Sequence, residues 1–182
     1  MKKIILIAII LFAAFLRLNK LTILPPLNAD EAAIGYNTYS LLQTGKDEHG
    51  HPFPISFQSF NDYKPGGYFY IVLPFVKVLG LTELAVRLPG SLINIAAVWI
   101  LYLLVIELFK NKNLALISAG LLAISPWHIH FSRGGWEVSV ATTMMLFGVY
   151  AFVKAQEKPR WYFWSVLSFV ASLYTYHAAR II

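Results

Sequence analysis

Residues 84–109 read LAVRLPGSLINIAAVWILYLLVIELF, and Arg87 and Glu107 are the only charged residues in the run. A helix rises 1.5 Å per residue, so about 20 apolar residues cross a hydrocarbon core of about 30 Å. This run is longer than that. Further apolar runs occupy 68–80, 114–127, 137–153 and 161–177, and another opens the chain at 3–27. Of the 182 residues, 58% are hydrophobic and 13% charged, against about a quarter charged in a soluble domain. The chain reads as an all-α polytopic membrane protein, and the composition excludes a soluble enzyme.

The formal net charge is +6. The basic residues are scattered, and several fall in short loops between apolar runs, which is how membrane topology is written rather than how nucleic acid is bound. Cysteine is absent, so no disulfide framework exists. Ten Tyr, 13 Phe and 5 Trp suit interfacial belts. Lys2 and Lys3 before an apolar run also fit a signal peptide, but apolar character resumes after Arg17 and Lys20 at LTILPPL, which favours a span.

The segment YFYIVLPFVKVLG (68–80) decides the topology. Thirteen residues make a helix of roughly 20 Å, too short to cross. If it lies along the interface, Lys2, Lys3, Lys110, Lys112, Lys154, Lys158 and Arg160 all fall inside, as the positive-inside rule asks. The expected spans are about 4–24, 84–109, 114–127, 137–153 and 161–177. The expected outer segments are a long loop 25–83 and a turn 128–136. The N-terminus is then cytoplasmic in a multi-pass protein of the plasma membrane. The chain ends at YHAARII with no soluble tail and is expected to be a piece of a longer protein.

This topology gathers Asp30, Glu31, Lys64, Arg87, His128, His130, Arg133 and Glu137 at the outer face. In NADEAAIGYNTYSLLQTG (28–45), Asp30 suits an N-cap, Glu31 a first turn and Gly45 a helix stop. Carboxylates this close to hydrocarbon also need a use or a partner. Lys64, in NDYKPGGYFY, is either a loop lysine before a turn or a point charge for phosphate. Arg87, in TELAVRLPGSL, either snorkels or clamps a phosphate, with Pro89 in the first turn of its helix. SPWHIHFSRGGWEVS (125–139) reads first as an interfacial turn. Its Gly134-Gly135 can aim Glu137 back toward Asp30, for acid–base work or a weak divalent cation. His128 with His130, and His49 with His51 in DEHGHPFP, lack a third ligand, which weakens a metal reading. The set describes a pocket at the bilayer surface with acids for a hydroxyl and cations for a phosphate.

The stretches LPPLNADEAAIGYNTYSLLQTG, FNDYKPGGYFY, ELAVRLPGSL, ISPWHIHFSRGGWE and LYTYHAARI, in this order and spacing, resemble the N-terminal part of GT-C glycosyltransferases. These form the protein O-mannosyltransferase and aminoarabinose-transferase superfamily, with its bacterial dolichyl-phosphate-mannose-protein-mannosyltransferase-like members. The resemblance implies the N-terminal portion of a GT-C-type helical bundle, with interfacial helices in a large first outer loop. It implies transfer of a sugar from a polyprenyl-phosphate donor to an acceptor protein, lipid or glycan in the cell envelope. It places catalysis at Asp30 with Glu31 beside it, donor phosphate at Lys64 and Arg87, and a second acid or acceptor contact at Glu137 with Arg133. The family's Pro-Pro after the lysine is Pro65-Gly66 here, which implies a looser turn.

The mechanism implied is one inverting displacement with Asp30 as base and a phosphate leaving group held by cations. It requires no cofactor; a divalent cation at the acids is the alternative. The rival reading is a non-catalytic membrane protein that binds or carries lipid-linked glycans, or an assembly subunit. Transporters place polar groups near the bilayer midplane, whereas here the charge collects at one surface.

Overall fold

A computed structural model describes residues 1–59 and 62–180. Phe60 and Asn61 of the FNDYKPGGYFY stretch and Ile181 of LYTYHAARI lie outside the described residues. Helices α1 (Lys2–Leu18) and α2 (Ala29–Thr44) are followed by a hairpin of β1 (Ser56–Ser59) and β2 (Asp62–Pro65) and by α3 (Gly67–Leu79). Then come α4 (Glu83–Phe109), α5 (Lys112–Ile124), α6 (Pro126–Arg133), α7 (Glu137–Ala155), α8 (Trp161–Thr175) and a 3-10 turn (His177–Arg180). The architecture is that of an all-α membrane protein, with the small hairpin as an addition the sequence reading does not contain.

Helices α4 and α7 are each long and apolar enough to cross a membrane, and α5 with α6 makes a third such unit if the bent pair is one span. The other expected spans are shorter than foreseen. The first helix stops at Leu18 instead of about 24 and has 17 residues; the last has 15. The expected span 114–127 also breaks. Ser125 caps a new helix whose first residue is Pro126, and α6 leaves α5 at 56°. Proline has no N–H to give to the carbonyl four residues back, so the α5 end is left with free carbonyls. The predicted turn 128–136 is therefore largely the helix α6.

The freed carbonyls find an arginine. Arg17, fully buried, donates to Leu122 O and Ala123 O at 3.2 and 3.0 Å, and its Nη2 lies 2.7 Å from His128 Nδ1. In return Arg133 of α6 donates to Leu16 O and Asn19 O at the end of α1, at 2.6 and 2.7 Å. Each helix end is closed by the other's guanidinium, the ordinary requirement of helix termini away from water.

Two apolar cores result. Ala13, Val98, Val105, Ala115, Ala119 and Ala123 join α1, α4 and α5, their small side chains allowing close approach. Ile34, Leu41, Phe57, Tyr68, Phe69, Val72, Val76 and Val86 form a second core beneath α2, α3 and the hairpin. Segment 25–83 is thus a packed cap with its own interior. Phe57 stacks on Phe69 with centroids 4.0 Å apart, which fastens the hairpin to α3. Ile4, Ile7, Leu11, Leu121, Phe163, Val166 and Val170 remain exposed, as suits contact with lipid.

The bundle has two chemically distinct ends. Glu107 pairs with Lys110 at 3.0 Å and with Lys154, tying the α4 and α7 termini together among the basic loops. The acids near residue 30, Lys64 and Glu137 gather at the opposite end.

Candidate active site

Asn28, not Asp30, is the N-cap of α2: its side chain accepts from Glu31 N at 2.9 Å, and Glu31 reaches back to Asn28 N in a capping box. Gly45 ends the helix in the left-handed conformation, as expected. With Asn28 as cap, Asp30 is left free to turn outward and Glu31 inward.

Glu31 is 1% exposed and receives five donors. Arg87 Nε and the Gly135 N–H reach Oε1 at 2.6 and 2.9 Å. Arg87 Nη2, Asn28 N and Asn28 Nδ2 reach Oε2 at 2.9, 3.2 and 3.1 Å. A Cβ on Gly135 would stand 3.1 Å from Glu31 Cγ and 3.0 Å from Val86 Cγ1, so the close approach of this backbone amide depends on glycine. The remaining Arg87 nitrogen donates to Leu21 O at 2.9 Å, and the side chain is fully buried. The guanidinium is enclosed, each of its three nitrogens already donates, and Glu31 compensates its charge inside the protein. Glu31 likewise presents no unoccupied lone pair to a substrate.

Asp30 and Lys64 form the accessible pair. Their side chains are ion-paired, at 37% and 13% exposure. The hairpin register explains why Lys64 points there. Phe57 pairs with Lys64, and directly opposed residues share a face of the sheet. Phe57 is buried, so Lys64 also turns toward the body of the protein, while Tyr63 turns out at 57% exposure.

Glu137 opens α7 at 7% exposure, and its carboxyl lies within electrostatic reach of Lys64, Asp30 and His177. Glu137 therefore senses the charges of Asp30, Lys64 and His177 at this end of the bundle. Arg133 donates instead to Leu16 O, Asn19 O and Leu24 O at the end of α1 and just beyond it. His177 is absent from the sequence reading although it lies inside the quoted LYTYHAARI. Its signal was a histidine just beyond a span on the acidic side.

The histidine pairs take other places. His128 faces Arg17, while His130 is exposed against Phe131. His51 and His49 close an Asx loop on Asp47, whose carboxylate accepts both backbone amides at 2.8 and 2.9 Å. Burial pushes the Asp47 carboxyl up, but the amides and the His51 ring outweigh it and hold the carboxyl below its usual range. Among the described residues no group of three or more His, Cys, Asp or Glu is placed to hold a metal. Cavities of about 240 Å³ beside Glu31, Gly35 and Val86 and about 150 Å³ beside Trp127, His128 and Ser139 flank the site without including Asp30 or Lys64. The Asp30–Lys64 pair opens on the surface instead.

The fold is that of a helical membrane module with its candidate site groups gathered at one end. The family described as dolichyl-phosphate-mannose-protein mannosyltransferase matches residues 63–179, more than half of the chain, and the protein belongs to it. The matched stretch holds Lys64, Arg87, Arg133, Glu137 and His177; Asp30 and Glu31 precede it. Comparison with curated proteins and with solved structures gave no match.

Proposed function

We propose that the protein transfers a sugar from a polyprenyl-phosphate donor to an acceptor hydroxyl at the outer face of the plasma membrane, with Asp30 as general base. The observation that carries this reading is the partly exposed Asp30–Lys64 pair, within electrostatic reach of Glu137, at the end of the bundle opposite the basic loops. The positive-inside distribution of those loops supports the outward orientation. A lipid headgroup arriving along the bilayer surface meets the Asp30–Lys64 pair. Its phosphate replaces Asp30 as the partner of the ammonium, which leaves the carboxylate uncompensated and basic beside the acceptor.

The acceptor hydroxyl gives its proton to Asp30 as its oxygen bonds to the anomeric carbon. The bond from that carbon to the phosphate oxygen breaks, and the electron pair leaves on the polyprenyl phosphate. Lys64 stabilises the charge that grows on the leaving oxygen. Attack opposite the leaving group inverts the anomeric centre. Glu137 supplies the second acid, and Glu31 with Arg87 forms the rigid frame that holds Asp30 in place. The chemistry needs no metal, since a cation is already supplied by Lys64.

The test is transfer of radiolabelled sugar from polyprenyl-phosphate donors in membranes by wild type, Asp30→Asn and Lys64→Met. Loss of about 10²-fold or more in Asp30→Asn, with a raised donor KM in Lys64→Met, supports the reading. Wild-type rates in Asp30→Asn refute it. Donor binding without transfer by the wild type would favour a carrier of lipid-linked glycans.

A further inference from the structure

The end of α8 and the turn after it meet the second hairpin strand and its exit on both sides of Lys64. His177 Nε2 is hydrogen-bonded to Tyr63 O, the carbonyl just before the lysine, across 114 residues of sequence. Beyond the lysine, a Cβ on Gly66 would stand 3.0 Å from the Tyr174 hydroxyl, and one on Gly67 would stand 2.6 Å from Thr175 Oγ1. Gly66 N–H also donates to Ile55 O at 2.9 Å, a bond that a second proline could not make. The Pro65-Gly66 departure therefore does not loosen the turn. It trades a stiff dipeptide for an extra hydrogen bond and a seat for α8.

An acceptor carbonyl requires a proton on Nε2, which fixes the ring's tautomer when neutral. The imidazole also lies within electrostatic reach of Glu137. One exposed histidine thus touches the strand that presents the lysine and acts electrostatically on the second acid.

We infer that His177 is a positioning residue for the donor site, its Nε2–H holding the Tyr63 carbonyl so that Lys64 is aimed at Asp30 and at the donor phosphate. The inference rests on the reading of Lys64 as the phosphate-binding cation. Lys64 carries a long flexible stem, and a lysine so aimed loses less freedom on binding than one on a loose loop. Because the 3-10 turn that follows α8 carries His177, docking of this end of the chain on the cap and formation of the phosphate site are one event.

The experiment compares His177→Ala, His177→Gln and His177→Asn with Asp30→Asn in membranes. Gln carries an amide N–H at about the reach of Nε2; Asn carries it at the reach of Nδ1. The expected result is a donor KM raised about tenfold in His177→Ala and His177→Asn, with kcat within about threefold, and near wild-type KM in His177→Gln. Nitrogen-15 NMR of the His177 ring in the wild-type protein is expected to show a protonated Nε2. Wild-type kinetics in His177→Ala while Asp30→Asn is inactive would overturn the inference and leave the site reading standing. Equal loss in all three histidine variants would also overturn it, since a direct chemical role is then required. Full activity in Asp30→Asn would sink the site reading itself. In that case a neutral ring protonated on Nδ1 would still refute the contact, and one protonated on Nε2 would uphold it.

Discussion

Glu31 and Asp30 are neighbours in sequence, and the structure separates their tasks. Replacing Glu31 by Gln keeps the shape of the side chain but removes the charge and turns one acceptor into a donor. The new amide would face Arg87, the Gly135 N–H or Asn28, all of which already donate. Removing one partner of a buried ion pair costs about 3–5 kcal/mol. At 2–4 °C per kcal/mol for a chain of this length, the midpoint falls by roughly 6–20 °C. Asp30→Asn breaks a pair whose acid is more than a third exposed, where the cost is about 0–1 kcal/mol and the midpoint moves by a few degrees at most. The assay is thermal unfolding in detergent followed by the fluorescence of the five tryptophans, with sugar transfer measured in parallel. Glu31→Gln should melt early and keep transfer below its midpoint; Asp30→Asn should melt normally and lose transfer. The double variant Glu31→Leu/Arg87→Met should melt above the less stable of Glu31→Leu and Arg87→Met, since no uncompensated charge remains. An unchanged midpoint in Glu31→Gln combined with lost transfer would refute the reasoning and make Glu31 the catalytic acid.

Other outcomes can be checked one by one. Gly135→Ala places a methyl group between Glu31 and Val86, and should cost about 1–3 kcal/mol, seen as an early melt that Val86→Ala relieves in part. The lowered Asp47 carboxyl contributes stability that is fully present above its unfolded value of about 3.9 and is lost as pH falls through the folded one. Protection of the His49 and His51 amides against hydrogen exchange should therefore fall as the pH drops below the ordinary carboxylate range, and this dependence should vanish in Asp47→Asn. Arg17→Met leaves the carbonyl of Ala123 without its donor and that of Leu122 with only the long bond from Ser125 N–H, and an unsatisfied buried group costs about 1–3 kcal/mol. Proteolysis near the α5–α6 break is expected to speed up, whereas unchanged cleavage would show that water can replace the guanidinium.

Much of the fold was legible because hydrocarbon imposes a simple grammar on sequence. The run 84–109 became α4 within one residue, and 137–153 became α7 with two residues added. Gly45 stopped its helix as foreseen. What was hidden depended on partners distant in sequence. Arg87 reads as a phosphate clamp until Glu31, 56 residues away, is seen beside it. Pro126 looks like a residue inside a span until its missing N–H and Arg17 are considered together. The cap was read as interfacial helices, but its hairpin was missed, since a pair of four-residue strands has no periodicity strong enough to stand out. His177 was overlooked for a similar reason: nothing local marks a histidine whose partner is a backbone carbonyl.

The five-donor cradle of Glu31 has a consequence for biogenesis. Its fifth donor comes from Gly135, 104 residues later in the chain. At a synthesis rate of about 5–20 residues per second, Gly135 follows Glu31 by roughly 5–20 s. During that interval the carboxylate can be met only by Asn28 and then by Arg87, so the cap cannot close until α6 and the start of α7 have been inserted. The cradle of Glu31 is thus completed only once the chain has been made through Gly135.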